Sequence, residues 1–589
     1  MKLFLTLGLQ NGLFCFSFTF KRVALMTFRL LLLSLVISFS LACKNGQSQM
    51  PKDPLERTDV FASHLPSDAE SLLVIPEIKV FREKAKKVKS NLGDSGMVDQ
   101  VQKQFQKSFG IDLLDDQSWS KAGLSADSSL GLAMYRDRPM VYMYVENRQK
   151  FEQTIIARME AAFQFKGSTK TTKVGDYQVK YLSDDPAKQI AWLYDGKLVM
   201  IAMPSLSKTG ALESGGAALV LTDARAVKPE ASYKSLKMFP KFKERFVSKF
   251  PLVALLPVEN YLKNADVQKR IKERPNGKRA EEMIRKYAEY FVAAVDVKGQ
   301  RISANLFVAG NDQFNTLVKV LTKMEAEGKW DTLVTEKTGL GIRLSVDPMG
   351  VYGFAQAAMG EGDVRRFKRK MGKAGDSLGI DIEKDVLTAL TGQAGIFFYG
   401  IAGSPMALAS GDPETIANKV GLMISLSFKS KVALDSLVNK IIQNPGWTVD
   451  DVKSESGEIL DGLKSIGLPV PAPVRILVYQ ERLVIAAPAL GEQTIYDYLA
   501  GKREKDKKIG DVEGFDLGKE FATAKSFNGI YANLHRLKVN PGQILSMVGA
   551  GFLIESFQEL QLQVAPDDIG LKISFTADMN DESATPDKK

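Results

Sequence analysis

Two groups of carboxylates are the first residues in this chain whose types and spacing could do chemistry. Asp112, Asp115 and Asp116 form one, and Asp381, Glu383 and Asp385 form the other. Clustered carboxylates bind calcium or divide acid and base roles between them. Both groups sit where a loop runs into a helical pattern. Acidic side chains there also cap the helix and meet its dipole, and capping is their expected role. Gly93-Asp94-Ser95-Gly96 has the letters of a nucleophilic-serine motif. Met97 stands where that motif needs glycine and no histidine lies in a matching context, so a polar turn is expected. The histidines are His64 and His535 and the cysteines Cys15 and Cys43, a poor supply for the usual zinc sites or for a histidine triad. No calcium loop, phosphate loop or dinucleotide fingerprint follows a strand. These residues imply no metal, no cofactor and no enzyme.

The one cysteine with a clear context is Cys43. Leu41-Ala42-Cys43 resembles the cleavage site of bacterial lipoproteins, whose cysteine is acylated and becomes the mature N-terminus. The apolar run Leu30–Ser40 behind Arg29 has the length of a secretory core and is short for a bilayer span. Ser40 occupies the place where the pattern usually has leucine, and the alternative is an ordinary secretory peptide cut near Ala42. Leu3–Phe20 is broken by Gly8, Gln10, Asn11 and Gly12, so a start at Met26 gives the better signal. If residues 1–25 are translated, they are read as an N-terminal anchor. The chain thus divides into a targeting region 1–42, with the signal at 26–42, and a lipidated tether 43–60. One acyl chain binds membranes marginally, so the resemblance implies several on Cys43. Lys44 after the cysteine, rather than aspartate, resembles sequences sorted to the outer membrane of Gram-negative bacteria.

The formal net charge is +10. The excess lies in patches: Lys234, Lys237, Lys241, Lys243, Arg245 and Lys249; Lys269, Arg270, Lys272 and Arg274; Arg365, Arg366, Lys368, Arg369 and Lys370; and Lys502, Arg503, Lys505, Lys507 and Lys508. Acidic residues interleave most of them, which favours solvated helix faces. The sharper reading is contact with anionic lipid or polysaccharide at the envelope. Without aromatic stacking motifs among the charges, nucleic acid is not expected.

Along the chain, segments recur in order. Phe109-Gly110-Ile111-Asp112 matches Leu378-Gly379-Ile380-Asp381, with Gly123 and Gly392 each thirteen residues past the first glycine. Leu73–Pro76 matches Ser345–Pro348, Tyr194–Val199 matches Tyr479–Val484, Arg301–Ser303 matches Lys572–Ser574, and Asn311-Asp312 matches Asn580-Asp581. The near-constant spacing predicts two tandem copies, 61–312 and 338–581, with a connector at 313–337 and a disordered tail at 582–589. Each copy reads as strands in pairs with short turns. Hairpins are expected over Ser129–Glu146, turning at Arg136–Pro139, over Gln189–Met203 with Asp195-Gly196 at the tip, and over Phe291–Gly310. A helix follows over Arg148–Phe163. Paired strands are antiparallel, so the fold class is α+β, a mainly antiparallel sheet with helices packed on it in each copy. Trp119 and Trp192, and Met134, Met140 and Met143, are expected in the core, with an apolar groove as the alternative for the methionines. Gly110 and Gly379 are read as turn residues.

Leu65-Pro66-Ser67-Asp68-Ala69 opening a strand, then a helix and a Gly-Ile-Asp segment, resembles an uncharacterised family of bacterial envelope proteins. Their domain of unknown function begins with a Leu-Pro-x-Asp element. The second copy has Thr338-Gly339-Leu340-Gly341 in that place, and the family supplies no catalytic residues to carry over. The expectation is a lipid-anchored, non-enzymatic binding or scaffold protein of the cell envelope, whose partner is an envelope protein, anionic lipid or polysaccharide. The alternatives are a carrier of an apolar ligand and a hydrolase that uses carboxylates alone.

Overall fold

The computed structural model describes residues 50–92, 106, 112, 114–125, 127–162, 165, 168–174, 176–206, 216–273, 277–322, 330, 332–358, 361–401, 418–468, 474–502, 507–524, 527–534, 536 and 557–579. The fold is α+β, with antiparallel strands and helices packed on them. The chain forms two compact units, with the boundary at residues 299–312.

The first unit holds β1 (Ser71–Ile75), β2 (Leu130–Tyr135), β3 (Arg138–Tyr144), β4 (Lys170–Val174), β5 (Tyr177–Leu182), β6 (Ile190–Asp195), β7 (Leu198–Ala202), β8 (Leu252–Pro257) and β9 (Ala288–Lys298). They pair in the order β9-β8-β1-β2-β3-β7-β6-β5-β4, every pair antiparallel. The expected hairpins are there. The β2–β3 turn is tighter than its sequence implied. Arg136 and Asp137 make the turn, both at positive φ (49° and 60°), and Arg138 and Pro139 already belong to β3. Two left-handed residues match the twist of the flanking strands.

Helices α2 (Ile78–Leu92) and α3 (Asp116–Lys121) and a helix following β3 cover one face of this sheet, and α1 (Pro54–Ser63) lies on the other. The helix after β3 is capped by Asn147, whose side chain accepts from the Gln149 and Lys150 N–H groups. It runs Arg148–Phe151, widens into a π-turn at Glu152–Ile156, and continues over Ala157–Ala162. From the π-turn Glu152 accepts from Lys180 Nζ (2.8 Å), Tyr194 OH (2.9 Å) and Trp192 Nε1 (3.1 Å). Burial opposes the Glu152 charge, and these donors outweigh it and hold its carboxyl below the usual range. Trp119, Trp192 and Met143 lie in the same core cluster as Leu132, Val141 and Ile201, and Met140 is also buried. The methionines at 140 and 143 are core residues, and Met134 is half-buried. On the opposite face Phe61 of α1 sits against Gly131, where a Cβ would come 2.7 Å from its ring.

The second unit holds β11 (Leu340–Ser345), β12 (Leu390–Ile401), β13 (Val420–Phe428), β14 (Thr448–Lys453), β15 (Ile459–Gly467), β16 (Arg475–Tyr479), β17 (Arg482–Ala486), β18 (Asn528–Asn533), β19 (Phe557–Asp567) and β20 (Gly570–Met579); β10 (Arg301–Gly310) spans the boundary. Their order is β20-β19-β18-β11-β12-β13-β17-β16-β15-β14, again antiparallel throughout. Helices α4 (Pro348–Ala358), α5 (Glu361–Asp376) and α6 (Lys431–Ile442) and a π-turn at Ile382–Leu387 accompany one face. Helix α7 (Asp516–Thr523) lies on the other, beside Phe521, Phe527 and Tyr531.

The expected connector 313–337 is more than a link. Asp312–Thr322 is helical, and Trp330, Leu333 and Val334 are buried in the second unit's main core. Trp330 covers Gly395 as Phe61 covers Gly131, and its Nε1 donates to Gln393 Oε1 at 3.0 Å. A short linker reads as polar, but this one carries a tryptophan that seats on a strand glycine. Trp330→Ala should therefore lower the stability of the second unit by about 3–5 kcal/mol, measured as a drop in the denaturant midpoint of that unit's unfolding transition.

Candidate functional site

One carboxylate of each group is a helix cap. Asp115 accepts from the Gln117 and Ser118 N–H groups at the start of α3, and Asp381 accepts from Glu383 and Lys384 at the start of its π-turn. Asp112 accepts from Leu114 N–H, and Asp385 takes the Asp381 N–H and pairs with Lys440 at 2.7 Å. These bonds turn the carboxylates to their own backbone neighbours rather than to a common point. Gly379 has a φ of 64°, the left-handed turn geometry expected of it, and Gly123 and Gly392 are left-handed too, at 80° and 89°. Cys43, Lys44, Gly93–Gly96, Gly110 and His535 lie outside the described residues. Among the described residues no group of three or more His, Cys, Asp or Glu could hold a metal, and no helix is long and apolar enough to cross a membrane.

One constellation escaped the sequence. His64 Nε2 lies 3.3 Å from Asp195 Oδ2 at the β6–β7 hairpin, and Ser63 Oγ lies 3.2 Å from His64 Nδ1. The three residue types are those of a triad, but the hydrogen bonds are not. Ser63 donates to Val60 O at 2.8 Å, and Nδ1 also faces Val60 O at 2.8 Å, so it serves as an N–H donor and offers Ser63 no basic lone pair. Asp195 is held below the usual carboxylate range by the His64 hydrogen bond, with burial opposing and Arg225 (3.0 Å) helping. The cluster ties the end of α1 to a hairpin tip.

Glu559 has the electrostatics of a catalytic acid and the surroundings of a strut. Burial pushes its carboxyl up to about 7. Yet it is fully buried and accepts from Leu517 N–H (3.0 Å), Gly518 N–H (3.0 Å) and Tyr531 OH (2.7 Å), which makes it a cap for α7 supplied from β19. Arg343 caps the other end. Its guanidinium donates to the carbonyls of Phe521, Ala522 and Ala524 and is lowered to about 9 by burial and by Arg482. Both side chains are spent inside the core.

The face opposite α7 is where the second unit departs from ordinary packing. Across its strands runs one row of paired residues, Phe575, Leu562, Ile530, Ile342, Ile396, Ile424, Ile485 and Ile476, all on one side of the sheet. None of them is fully buried: Ile530 and Phe575 are 38% and 37% exposed, and the others are half-buried. Leu344 beside them is 39% exposed. The polar residues of the same strands, Arg343, Ser345, Gln393 and Ser425, point the other way and are buried. The first unit has the corresponding row Ala254, Leu73, Leu132, Val141, Ile201 and Trp192. There Val141 and Ile201 are 0% exposed and Trp192 1%, under α2, α3 and the helix after β3. The second unit's main apolar core, with Phe397, Met423, Leu477 and Val484, also lies on the side of its buried polar residues, so the aliphatic row is a second, half-open apolar face, the arrangement of a surface that meets something apolar. The strand alternation Leu340-x-Ile342-x-Leu344 carried the signal, but alternation does not say which side is covered.

No family model matches the chain, and no curated protein matches it. Two solved structures align with part of it. Crystal form IV of TP0453 does so at 9% identity over 45% of this chain and 87% of that one, with a TM-score of 0.22. Crystal form III of TP0453 does so at 9% identity over 48% of this chain and 91% of that one, with a TM-score of 0.20. Likeness at that level carries no argument for fold or function.

The buried Glu559 gives a pH test. Its folded pKa lies above its unfolded value of 4.5, so its contribution to stability is full below about 4.5 and is lost as pH rises through about 7. The loss is on the order of 3 kcal/mol. Urea midpoints measured between pH 4.5 and 7.5 should fall with pH in the natural protein and flatten in Glu559→Gln; equal slopes would show that Glu559 does not carry this effect.

Proposed function

We propose that this chain is a lipid-anchored, non-enzymatic protein of the cell envelope, built from two tandem α+β copies, of which the second binds an apolar ligand. The observation that carries the reading is the half-open aliphatic face of the second unit, set beside its covered counterpart in the first. An apolar face of this kind has little use in a pure scaffold and none in carboxylate hydrolysis, which favours the carrier over both.

Shared strand order supports the duplication. So does register: Leu73 pairs with Leu132 as Ile342 pairs with Ile396, at a spacing of 269 between Leu73 and Ile342, and Phe61 and Trp330 stand at that same spacing. The spacing refines three of the sequence matches. Leu73 corresponds to Ile342 rather than Ser345. Counted from the β9–β10 and β19–β20 turns, Arg301 corresponds to Gly570 rather than to Lys572. Gly196 and Gln480, with φ of 59° and 52°, align the two β-turns at a spacing of 284, one less than the letters alone gave.

Anchorage rests on Leu41-Ala42-Cys43, and Lys44 favours the outer membrane. Cells fed an alkyne fatty acid should label the natural chain and leave Cys43→Ser unlabelled and released from membranes; labelled, membrane-bound Cys43→Ser would end the anchorage reading. Native mass spectrometry with organic extraction tests the ligand. Recovery of an empty protein that also takes up no apolar probe would leave only a scaffold.

A further inference from the structure

Resting on the apolar-ligand reading, we infer that the ligand is an anionic lipid, with its acyl chains on the Ile342–Ile396–Ile424–Ile485 row and its headgroup at α5. Helix α5 is strongly amphipathic. Val364, Phe367, Met371 and Ala374 form a half-buried stripe, while Arg365, Lys368, Arg369, Lys370 and Lys373 are exposed. Of its cations, Arg366 pairs with Asp363 at 2.7 Å. The other five side chains make no ion pair or hydrogen bond among the described residues. In two of the other basic patches several cations are paired or pinned: Lys234 and Lys243 meet Asp59, Lys237 meets Glu289, and Lys502 bonds Tyr496. Helix α5 concentrates charge that is left over, and five uncompensated cations on one helix attract an anionic headgroup.

The helix is fixed beside the aliphatic row. Chain leaving β11 enters α4, whose Met349 is 37% exposed and whose Tyr352 meets Phe367 of α5 with ring centroids 6.0 Å apart. Tyr352 OH donates to Glu383 Oε2 at 2.9 Å in the π-turn. Ile380 and Val386 around that turn pack with Leu426, Ile476 and Leu483, on the same sheet face as the row. Aliphatic row, apolar α4 and cationic α5 therefore follow one another across a single side of the second unit. An apolar strip bordered at one end by cations is complementary to one molecule with hydrocarbon chains and a negative head. A free anion would leave the strip unexplained, and a neutral hydrocarbon would leave the five cations unexplained.

The test uses the full chain carrying Cys43→Ser, mixed with vesicles of dioleoyl phosphatidylglycerol or of dioleoyl phosphatidylcholine. The vesicles are then removed by flotation, and lipid kept by the protein is counted by native mass spectrometry. About one phosphatidylglycerol per chain is expected, with at least ten-fold less phosphatidylcholine. Lys368→Glu, Arg369→Glu, Lys370→Glu and Lys373→Glu together should abolish that preference, lowering phosphatidylglycerol retention about 100-fold. Trp447 packs against the cluster on this face, so phosphatidylglycerol with brominated chains should quench it, a signal lost in Trp447→Phe; this needs no change to the sheet. Equal retention of both lipids would overturn the headgroup assignment while leaving the apolar-ligand reading in place. Vesicle binding with no lipid retained would overturn the site in favour of surface docking. Retention of neither lipid, with no uptake of an apolar dye, would overturn both readings.

Discussion

A slip of one residue of β11 against β12 would carry Arg343 and Ser345 to the open side of the sheet and Ile342 and Leu344 to the buried one. Nearly everything distinctive about the second unit depends on that register being held. Trp330 holds it from above. It seats on Gly395, donates to Gln393 earlier on the same strand, and lies beneath Arg343 at 5.3 Å and Arg482 at 5.1 Å. Only a glycine in that one position admits the indole. Phe61 on Gly131 does the same in the first unit, with Tyr142 and Tyr144 beside it at 5.9 and 5.7 Å.

The two units differ in what lies on the far side once register is fixed. In the first, α2, α3 and the helix after β3 bring Phe151, Ile155 and Trp119 onto the sheet and bury it. In the second, α6 covers the β13–β17 end with Leu434, Leu437 and Val438, and the aliphatic row beyond it is left half-covered. Buried polar groups on the opposite side are not idle. Arg343 and Glu559 saturate the two ends of α7, so a short helix that would otherwise present unpaired amides and carbonyls is tied to β11 and β19.

Local chemistry made much of the fold legible. Asp195-Gly196 announced a hairpin, the strand pairs at 129–146 and 291–310 announced two more, and Gly379 announced a left-handed turn. The carboxylates could be read as caps because capping needs only near neighbours. What stayed hidden depended on distant ones. His64 and Asp195 meet only because α1 lies near the β6–β7 hairpin, and Trp330 reads as linker until Gly395 is seen beneath it. The open face was the least legible feature, since strands in both units alternate alike and exposure is decided by helices elsewhere in the chain.

The two end strands, β4 and β14, have no further strand beside them among the described residues. Both are studded with charge: Lys170 and Lys173 on one, Asp450, Asp451 and Lys453 on the other, all exposed. A free edge offers unpaired amides to any passing strand, and charged side chains discourage the meeting. For a protein whose second unit also shows an aliphatic side, that guard is worth more than usual. With the edges hostile to β-pairing, contact between molecules through the aliphatic side is hindered from extending into a continuous cross-molecule ladder, which guards the chain against fibril growth.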